Sequence, residues 1–330
     1  PAGYKTLNTD NFSINTPTII RPQKHFAAVI YTGDNTEYRK IPLEFKADLL
    51  WFKRRDAAGS HVLSDTVTGI TKHLTPNDTS VQGSPAYPYV SDVEDNGIIL
   101  RGSASSGGNV SGRSMVAWCW KGGGNSNTFN VDGKGYASAS AAGITEGNLA
   151  ITGASVNREA GFSIVKFTAN NNASATIGHG LNSKPKFVIV KDTANSDDWQ
   201  CKFIDDNIYV PLNDNNAGST SYGNYTATDT LINLGYTWNN GNGIHVAYSW
   251  TSIPGYSKIG RYNALGSTDG AYVELGFRPA FILIRPTNNF GGSDQNYSTW
   301  GLWDSTRSTS NVVTYGGMLT ANKNHAEQVR

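Results

Sequence analysis

One type of segment occurs three times in the chain, and this repetition is the sequence feature that most restricts how the chain can fold. Each copy is a run of large apolar residues that follows a short turn and ends in a cation; the copies are residues 49–53, 187–191 and 281–285. An aromatic residue precedes each terminal cation by 27, 29 and 29 residues, at Phe26, Phe162 and Tyr256. Agreement in type, order and spacing predicts an architecture of repeated units.

The composition favours short strands that are joined by many turns. Glycine is abundant at 36 residues, and only 16% of the 330 residues are charged, with a formal net charge of +1. Such a composition is typical of sandwiches and barrels, and the near-neutral charge argues against nucleic acid as a partner. No apolar run reaches the ~18 residues of a membrane-spanning helix, so membrane insertion is not expected.

The repeated runs and two further segments predict particular strands. Residues 115–120 and 245–250 alternate large with small side chains, which is the two-residue period of a strand. We expect these strands to close the first and second units. The runs 49–53, 187–191 and 281–285 are apolar on both faces, which predicts strands in the middle of a sandwich whose terminal cation emerges at the rim.

These patterns divide the chain into five parts. Residues 1–25 contain prolines and no hydrophobic period, and predict an extended N-terminal arm. We expect β-sandwich modules at residues 26–121 and 161–254, and a Gly/Ala/Ser-rich linker at 122–160, in which residues 149–151 could add a strand. Residues 255–330 predict a third, incomplete module.

The third module lacks the closing strand of the other two. The repeat spacing would place this strand about 11 to 19 residues beyond Arg330. A sandwich without it exposes an unpaired edge. We therefore expect either that the natural chain continues or that a neighbouring chain supplies the strand.

Residues that would indicate catalysis, a cofactor or a metal ion do not form a recognisable motif. The histidines and cysteines lack zinc-ligand spacing, and no phosphate-binding loop occurs, so no catalytic, cofactor-binding or metal-binding residue is predicted. Asp65 and Asp304 recur with the repeat, which predicts turn caps rather than the paired carboxylates of a glycosidase. Cys119 and Cys201 are expected to be buried free thiols.

Six aromatic residues are candidates for contact with a ligand or a partner, because they lie in polar, loop-like stretches. Tyrosine and tryptophan offer a large rigid area with a polar edge, which suits sugar stacking and protein interfaces. Contact between modules is an equal alternative. The candidates are Trp199, Tyr222, Tyr225, Trp238, Trp300 and Trp303.

Several segments give the chain a resemblance to a known family. They are residues 161–168, 177–181 and 184–191, the next copy at 255–260 and 276–284, and the closing segment 116–120. Together they resemble a repeat of tailed-bacteriophage virion structural proteins of the tail-fibre or appendage type. The likeness covers about residues 26–330. Ala47 stands where the repeat usually has proline, so the turn of the first copy departs from the pattern.

The resemblance implies an all-β protein of tandem β-sandwich modules, lectin-like (concanavalin-like) or jelly-roll-like, made in the host cytoplasm and carried on the virion. We expect a non-enzymatic structural protein of a tail fibre, appendage, capsid decoration or head fibre. It would form homo-oligomers and bind other virion proteins through residues 1–25. The alternative function is that of an adhesin for a host cell-surface glycan, and the third hypothesis is a polysaccharide depolymerase. Exposed aromatics in one groove would favour the adhesin, and two facing carboxylates the enzyme.

Overall fold

The computed structural model describes residues 18–102, 107–221, 225–266, 270–287, 299–307 and 317–328. Over these residues the predicted all-β fold class is confirmed, with two short 3₁₀ turns, Pro22–Lys24 and Thr237–Asn239. In this described part, no helix has the length and apolar character to cross a membrane. The strands are β1 (Phe26–Thr32), β2 (Arg39–Pro42), β3 (Leu49–Arg54), β4 (Val62–Asp65), β5 (Val90–Glu94), β6 (Gly97–Leu100), β7 (Ser114–Trp120), β8 (Phe129–Val131), β9 (Lys134–Tyr136), β10 (Ile151–Asn157), β11 (Phe162–Thr168), β12 (Thr176–Gly178), β13 (Phe187–Asp192), β14 (Gln200–Phe203), β15 (Ile208–Tyr209), β16 (Leu231–Asn233), β17 (Ile244–Trp250), β18 (Phe281–Ile284), β19 (Gly301–Asp304) and β20 (Leu319–Thr320).

The same four-strand arrangement occurs twice. The N-terminal sheet has the antiparallel order β1-β7-β3-β4, and the eight-stranded central sheet contains β11-β17-β13-β14 in its order β15-β14-β13-β17-β11-β10-β8-β9. The register also agrees. Trp120 lies opposite both Phe26 and Leu49, as Trp250 lies opposite both Phe162 and Phe187. The two closing strands predicted from alternating side chains are therefore β7 and β17.

The C-terminal sheet is smaller, with the order β18-β19-β20. Its β18–β19 pair has the register of β3–β4 and β13–β14, since the first residue of one strand lies opposite the last residue of the next in all three pairs. The three apolar runs marked in the sequence are thus β3, β13 and β18. They occupy corresponding places in three sheets.

The inner faces of the three sheets pack around one shared core. Trp118 from the N-terminal sheet, Tyr248 from the central sheet and Leu302 from the C-terminal sheet are all fully buried in it. The small sheet β2-β6-β5 covers the outer face of the N-terminal sheet with a second apolar cluster. A third cluster, which includes Ile177 of β12 and Ile232 of β16, covers the central sheet. Removal of this apolar surface from water is the main force that holds the sheets together.

Residues 122–160, expected to be a linker, instead contain three strands of the central sheet. Strand β10 pairs with β11 on one side and with β8 on the other, and Phe129 and Val156 lie in the apolar cluster over that sheet. The small residues serve close packing and not flexibility. A Cβ on Gly123 would lie 2.4 Å from the Cβ of Asn130, a distance that real side chains do not tolerate.

The described part of the expected N-terminal arm, residues 18–25, lies against its own chain. Ile19 is 2% exposed, the Thr18 hydroxyl donates to the Pro254 carbonyl oxygen at 3.4 Å, and Arg21 donates to Glu44 at 3.0 Å. This part of the arm is therefore held by intramolecular contacts. Residues 1–17, the rest of the expected arm, lie outside the described residues.

Candidate assembly surface and the contacts that position it

Three hydrogen bonds join the three sheets in a closed ring. The residue directly before β4, β14 and β19 is buried in each case, and its ring N–H donates to a backbone carbonyl oxygen in the neighbouring sheet or in a loop next to it. The bonds, 2.9 to 3.0 Å long, join His61 to Thr320, Trp300 to Pro211 and Trp199 to Thr75. The ring runs from the N-terminal to the C-terminal sheet, then to the central sheet and back. Each sheet is therefore fixed by both of the others.

His61 is held in one neutral tautomer. The Trp51 indole N–H can only donate, and it lies 2.8 Å from His61 Nδ1, so Nδ1 accepts. The Thr320 carbonyl oxygen can only accept, and it lies 2.9 Å from Nε2, so Nε2 carries the proton. Burial lowers the pKa of His61 to about 3 because the imidazolium loses its hydration. Protonation of Nδ1 would break the bond to Trp51.

The three cations predicted to emerge at the rim are buried instead, which corrects that expectation. Lys53, Lys191 and Arg285 are 1%, 0% and 7% exposed. Each donates to a carbonyl oxygen in a loop next to the neighbouring sheet, in the same cyclic order as the ring of hydrogen bonds; the acceptors are Asn324 at 3.4 Å, Thr79 at 3.3 Å and Asp214 at 3.0 Å. A buried charge needs such hydrogen bonds to replace water. Burial nevertheless lowers the pKa of Lys53 to about 8.

The predicted turn caps Asp65 and Asp304 are confirmed. Asp65 Oδ1 accepts the backbone N–H groups of Val67 and Thr68 at 2.8 and 2.7 Å. Asp304 Oδ1 accepts the backbone N–H groups two and three residues later at 3.1 and 2.9 Å. Each carboxylate satisfies the start of a turn, which is the usual role of aspartate at this place.

Each of these carboxylates also receives a donor from the closing strand of a neighbouring sheet. The Tyr248 hydroxyl donates to Asp65 at 2.8 Å, and the Trp118 indole N–H donates to Asp304 at 2.8 Å. Burial raises the pKa of Asp65 and the pKa of Tyr248, since neither charged form is well solvated in the core.

The third member of this set is apolar. Phe203 ends β14 at the position that Asp65 and Asp304 hold in β4 and β19. Its ring stacks on Trp300, with centroids 6.2 Å apart. Phe203 would face the closing strand of the C-terminal sheet, and the described residues contain no such strand. Among the described residues, this third contact therefore has neither the donor nor the acceptor of the other two.

The outer face of the C-terminal sheet is only partly covered among the described residues. Ile282 and Ile284 of β18 are half-buried, whereas the four side chains at the corresponding positions of β3 and β13 are 0% exposed, namely Leu50, Phe52, Val188 and Val190. Trp303 shares this outer face, half-buried over Gly301, where a Cβ would lie 2.3 Å from its ring. We call Ile282, Ile284 and Trp303 the outer face of β18–β19.

The structure separates the six aromatic candidates into three groups. Trp199, Tyr225, Trp238 and Trp300 are buried within this chain, at 1% exposure or less, which excludes them from stacking on a sugar in the folded protein. Trp199 and Trp300 contact neighbouring sheets, as the alternative of contact between modules requires, while Tyr225 and Trp238 stack with centroids 4.4 Å apart. Trp303 lies on the outer face of β18–β19. Tyr222 lies outside the described residues.

A polar groove lies between the N-terminal sheet and the central sheet. It has a volume of about 310 Å³, and its lining combines amides and hydroxyls with two lysines, the Asp92 carboxylate and the apolar side chains of Val67, Ile70 and Val93. The Lys46 ammonium donates to the Ser126 hydroxyl at 2.6 Å. These groups can donate to and accept from hydroxyl-rich or anionic small molecules.

The described residues contain no cluster of three or more histidine, cysteine or acidic side chains that could hold a metal ion. Cys119 and Cys201 are buried free thiols, as predicted. Burial raises the pKa of each thiol, because the thiolate would be poorly solvated.

Comparison with known proteins gives one assignment. No curated protein matches the chain, and no solved structure matches it. Residues 21–330, which include all three sheets, match the family described as a domain of unknown function, DUF7483, and the chain belongs to that family.

Proposed function

We propose that the protein is a non-enzymatic structural component of a tailed-bacteriophage virion, in a tail fibre, appendage, capsid decoration or head fibre. It is built from tandem sandwich-like modules and assembles with further copies of itself through the outer face of β18–β19. The resemblance of its repeats to phage virion proteins supports the class of protein. The three sheets around one core support a rigid building block.

One observation carries the proposal of assembly. The outward side chains of β3 and β13 are fully covered, and those of β18 at the corresponding positions are only partly buried. Apolar side chains that are left uncovered in one of three like sheets mark an interaction surface. The segment before β18 adds exposed apolar groups, at Tyr262, Leu265, Tyr272 and Val273. Most soluble oligomers are homo-oligomers with closed symmetry, which favours a second copy of this chain as the partner.

Sedimentation velocity of the purified protein tests the proposal. We expect an oligomer, and we expect Ile284→Asp to shift it to a monomer because the aspartate would be buried without a partner at the interface. Ile30→Asp is the matched control, since Ile30 is a strand residue that is 44% exposed elsewhere on the chain. A monomeric wild type, or an Ile284→Asp oligomer as stable as the control, would contradict assembly through this face.

The virion location is tested on particles. A phage that encodes the Ile284→Asp variant should yield particles depleted of the protein, while circular dichroism of the isolated variant stays that of a folded β protein. Absence of the wild-type protein from purified particles would contradict the virion assignment whatever the oligomeric state.

The polar groove favours a second candidate function, the binding of a host cell-surface glycan. Its amides and hydroxyls suit sugar hydroxyls, and Lys46 and Lys166, which outnumber the one lining carboxylate, Asp92, suit a carboxylated sugar. We expect Lys166→Ala and Asn127→Ala to abolish binding to acidic glycans on an array, with Lys24→Ala, an exposed lysine outside the groove, as the control. Wild-type protein that binds no glycan on the array would remove this candidate.

A further inference from the structure

The turn that leads into β17 contains two of the chain's three asparagine–glycine pairs, Asn240-Gly241 and Asn242-Gly243; the third is Asn96-Gly97. In such a pair the backbone nitrogen after the asparagine can attack the side-chain carboxamide, because glycine has no Cβ to shield that nitrogen or to restrict the backbone. The attack requires a carboxamide that is free to turn and a backbone N–H that is not engaged in a hydrogen bond. The three pairs share this chemistry, and their surroundings decide which of them reacts.

The first pair of the turn is restrained at both reacting groups. The Asn240 carboxamide donates to the Asp197 carboxylate at 3.0 Å. The Gly241 N–H, which would be the attacking group, donates to the Asn171 side-chain oxygen at 2.6 Å. Attack of this nitrogen on the Asn240 carboxamide would break both hydrogen bonds, so the folded protein protects the pair.

The pair in the β5–β6 hairpin is restrained as well. The Asn96 carboxamide oxygen accepts a hydrogen bond from the Lys40 ammonium at 2.5 Å. Gly97 is the first residue of β6, and it pairs with Glu94 on one side and with Pro42 on the other. Attack by the Gly97 nitrogen would open the two-residue turn and the start of the strand. This pair is therefore protected too.

The remaining pair, Asn242-Gly243, has neither restraint. Asn242 is exposed, and its side chain forms no hydrogen bond or ion pair with any residue that the structure describes. The Gly243 N–H likewise has no acceptor within the described part of the chain. Packing nevertheless requires glycine at this position, because an added Cβ would lie 2.8 Å from the Cβ of Ala194, which is closer than real side chains approach. The fold thus keeps the glycine and leaves the asparagine free.

We propose that Asn242 is a site of spontaneous deamidation in the folded protein. The Gly243 nitrogen attacks Cγ of Asn242 and forms a C–N bond, and the side-chain nitrogen leaves as ammonia with the proton that Gly243 loses. Water then opens the resulting five-membered succinimide. Opening at the side-chain carbonyl gives aspartate, and opening at the main-chain carbonyl gives isoaspartate. The reaction involves one chain and does not rest on the proposed function.

Isoaspartate would lengthen the main chain by one carbon atom immediately before β17. The carbonyl oxygens of Gly243 and Ile244 accept the backbone N–H groups of Ala169 at 3.0 Å and of Thr193 at 2.9 Å. Because Gly243 packs closely against Ala194, the added atom moves these two acceptors. We therefore expect the amides of Ala169 and Thr193 to exchange with solvent faster in the isoaspartate form than in the unmodified protein.

Peptide mapping with fragmentation tests the site on the full chain after incubation at pH 8 and 37 °C. We expect position 242 to convert to a mixture of aspartate and isoaspartate, and conversion at Asn96 and Asn240 to be at least about tenfold slower. Incubation in urea is the control, because the three pairs should react at similar rates once the fold is lost. Asn242 that stays intact in the folded protein would overturn the proposal. The same preference for Asn242 in urea would overturn the argument that the fold selects it.

Asn171→Gly provides a second test, because it removes the acceptor of the Gly241 N–H. Asn171 has a φ of 58°, which glycine adopts without strain, so the variant should fold. We expect conversion at Asn240 to become several-fold faster and conversion at Asn242 to keep its rate. An unchanged rate at Asn240 would overturn the argument that hydrogen bonds to the backbone nitrogen decide which pair reacts.

Discussion

Trp118 in β7 donates its indole N–H to the carboxylate of Asp304 at the end of β19, over 2.8 Å and 186 residues of chain. The bond ties the closing strand of the N-terminal sheet to the turn of the C-terminal sheet. The Tyr248–Asp65 bond does the same between the central and N-terminal sheets. The strand that closes a sheet is thus also the strand that positions its neighbour.

Trp118→Phe should therefore lower the free energy of unfolding by about 1–3 kcal/mol, since it leaves a buried carboxylate without one of its donors. Trp120→Phe, two residues along the same face of β7, is the matched control for loss of ring area. Urea unfolding followed by circular dichroism measures both. Equal losses would show that the indole N–H of Trp118 contributes nothing beyond packing.

The repeated apolar strands β3, β13 and β18 and the closing strands β7 and β17 could be predicted from the sequence because their signals are local. An apolar run such as β13 and the alternation of β17 depend only on neighbouring residues along the chain. Strands β8 to β10 carry no such period, since glycine and small polar residues make their close contacts. The sequence of residues 122–160 therefore predicts a linker in place of these strands.

The contacts between sheets could not be predicted from local pattern. The recurrence of Lys53, Lys191 and Arg285 is visible in the sequence, but their burial depends on which sheet supplies the carbonyl oxygens. His61 could have been found by aligning the repeats, because it directly precedes its strand as Trp199 and Trp300 do. The equivalence is not obvious in the sequence because this position is histidine in the first unit and tryptophan in the other two.

Gly178 in β12 should tolerate no side chain. A Cβ there would lie 1.9 Å from the Thr145 carbonyl oxygen, which belongs to rigid backbone. We expect Gly178→Ala to lower the free energy of unfolding by more than about 2 kcal/mol. Gly260→Ala is the control, since no atom lies within 4 Å of its added Cβ, and it should be neutral or stabilise by about 0.4–1 kcal/mol. Thermal unfolding measures the melting temperatures of the two variants. Similar melting temperatures would refute the steric argument.

His61 should make the protein less stable in acid. Its pKa is about 3 in the folded state and about 6.5 in the unfolded chain, so between these values only the unfolded state binds the proton. The free energy of unfolding therefore falls as the pH falls, by about 1.4 kcal/mol per pH unit from this residue. His61→Gln should reduce the measured slope between pH 6 and pH 4 by that amount. The same substitution at the exposed His325 controls for loss of a histidine, and an equal change there would contradict the prediction.

Phe203 should not be replaceable by the aspartate that stands at the corresponding positions of β4 and β19. Asp65 and Asp304 are satisfied by Tyr248 and Trp118, and no described donor from a closing strand faces Phe203. We expect Phe203→Asp to lower the free energy of unfolding by about 2–4 kcal/mol more than Phe203→Leu, because it places an unpaired carboxylate against the Trp300 ring. The difference should shrink below pH 4, where protonation removes the charge. Denaturant unfolding of both variants at pH 7 and pH 3 measures it. Equal stability of the aspartate and leucine variants at pH 7 would contradict the prediction. It would mean that a hydrogen-bond donor reaches the carboxylate at position 203.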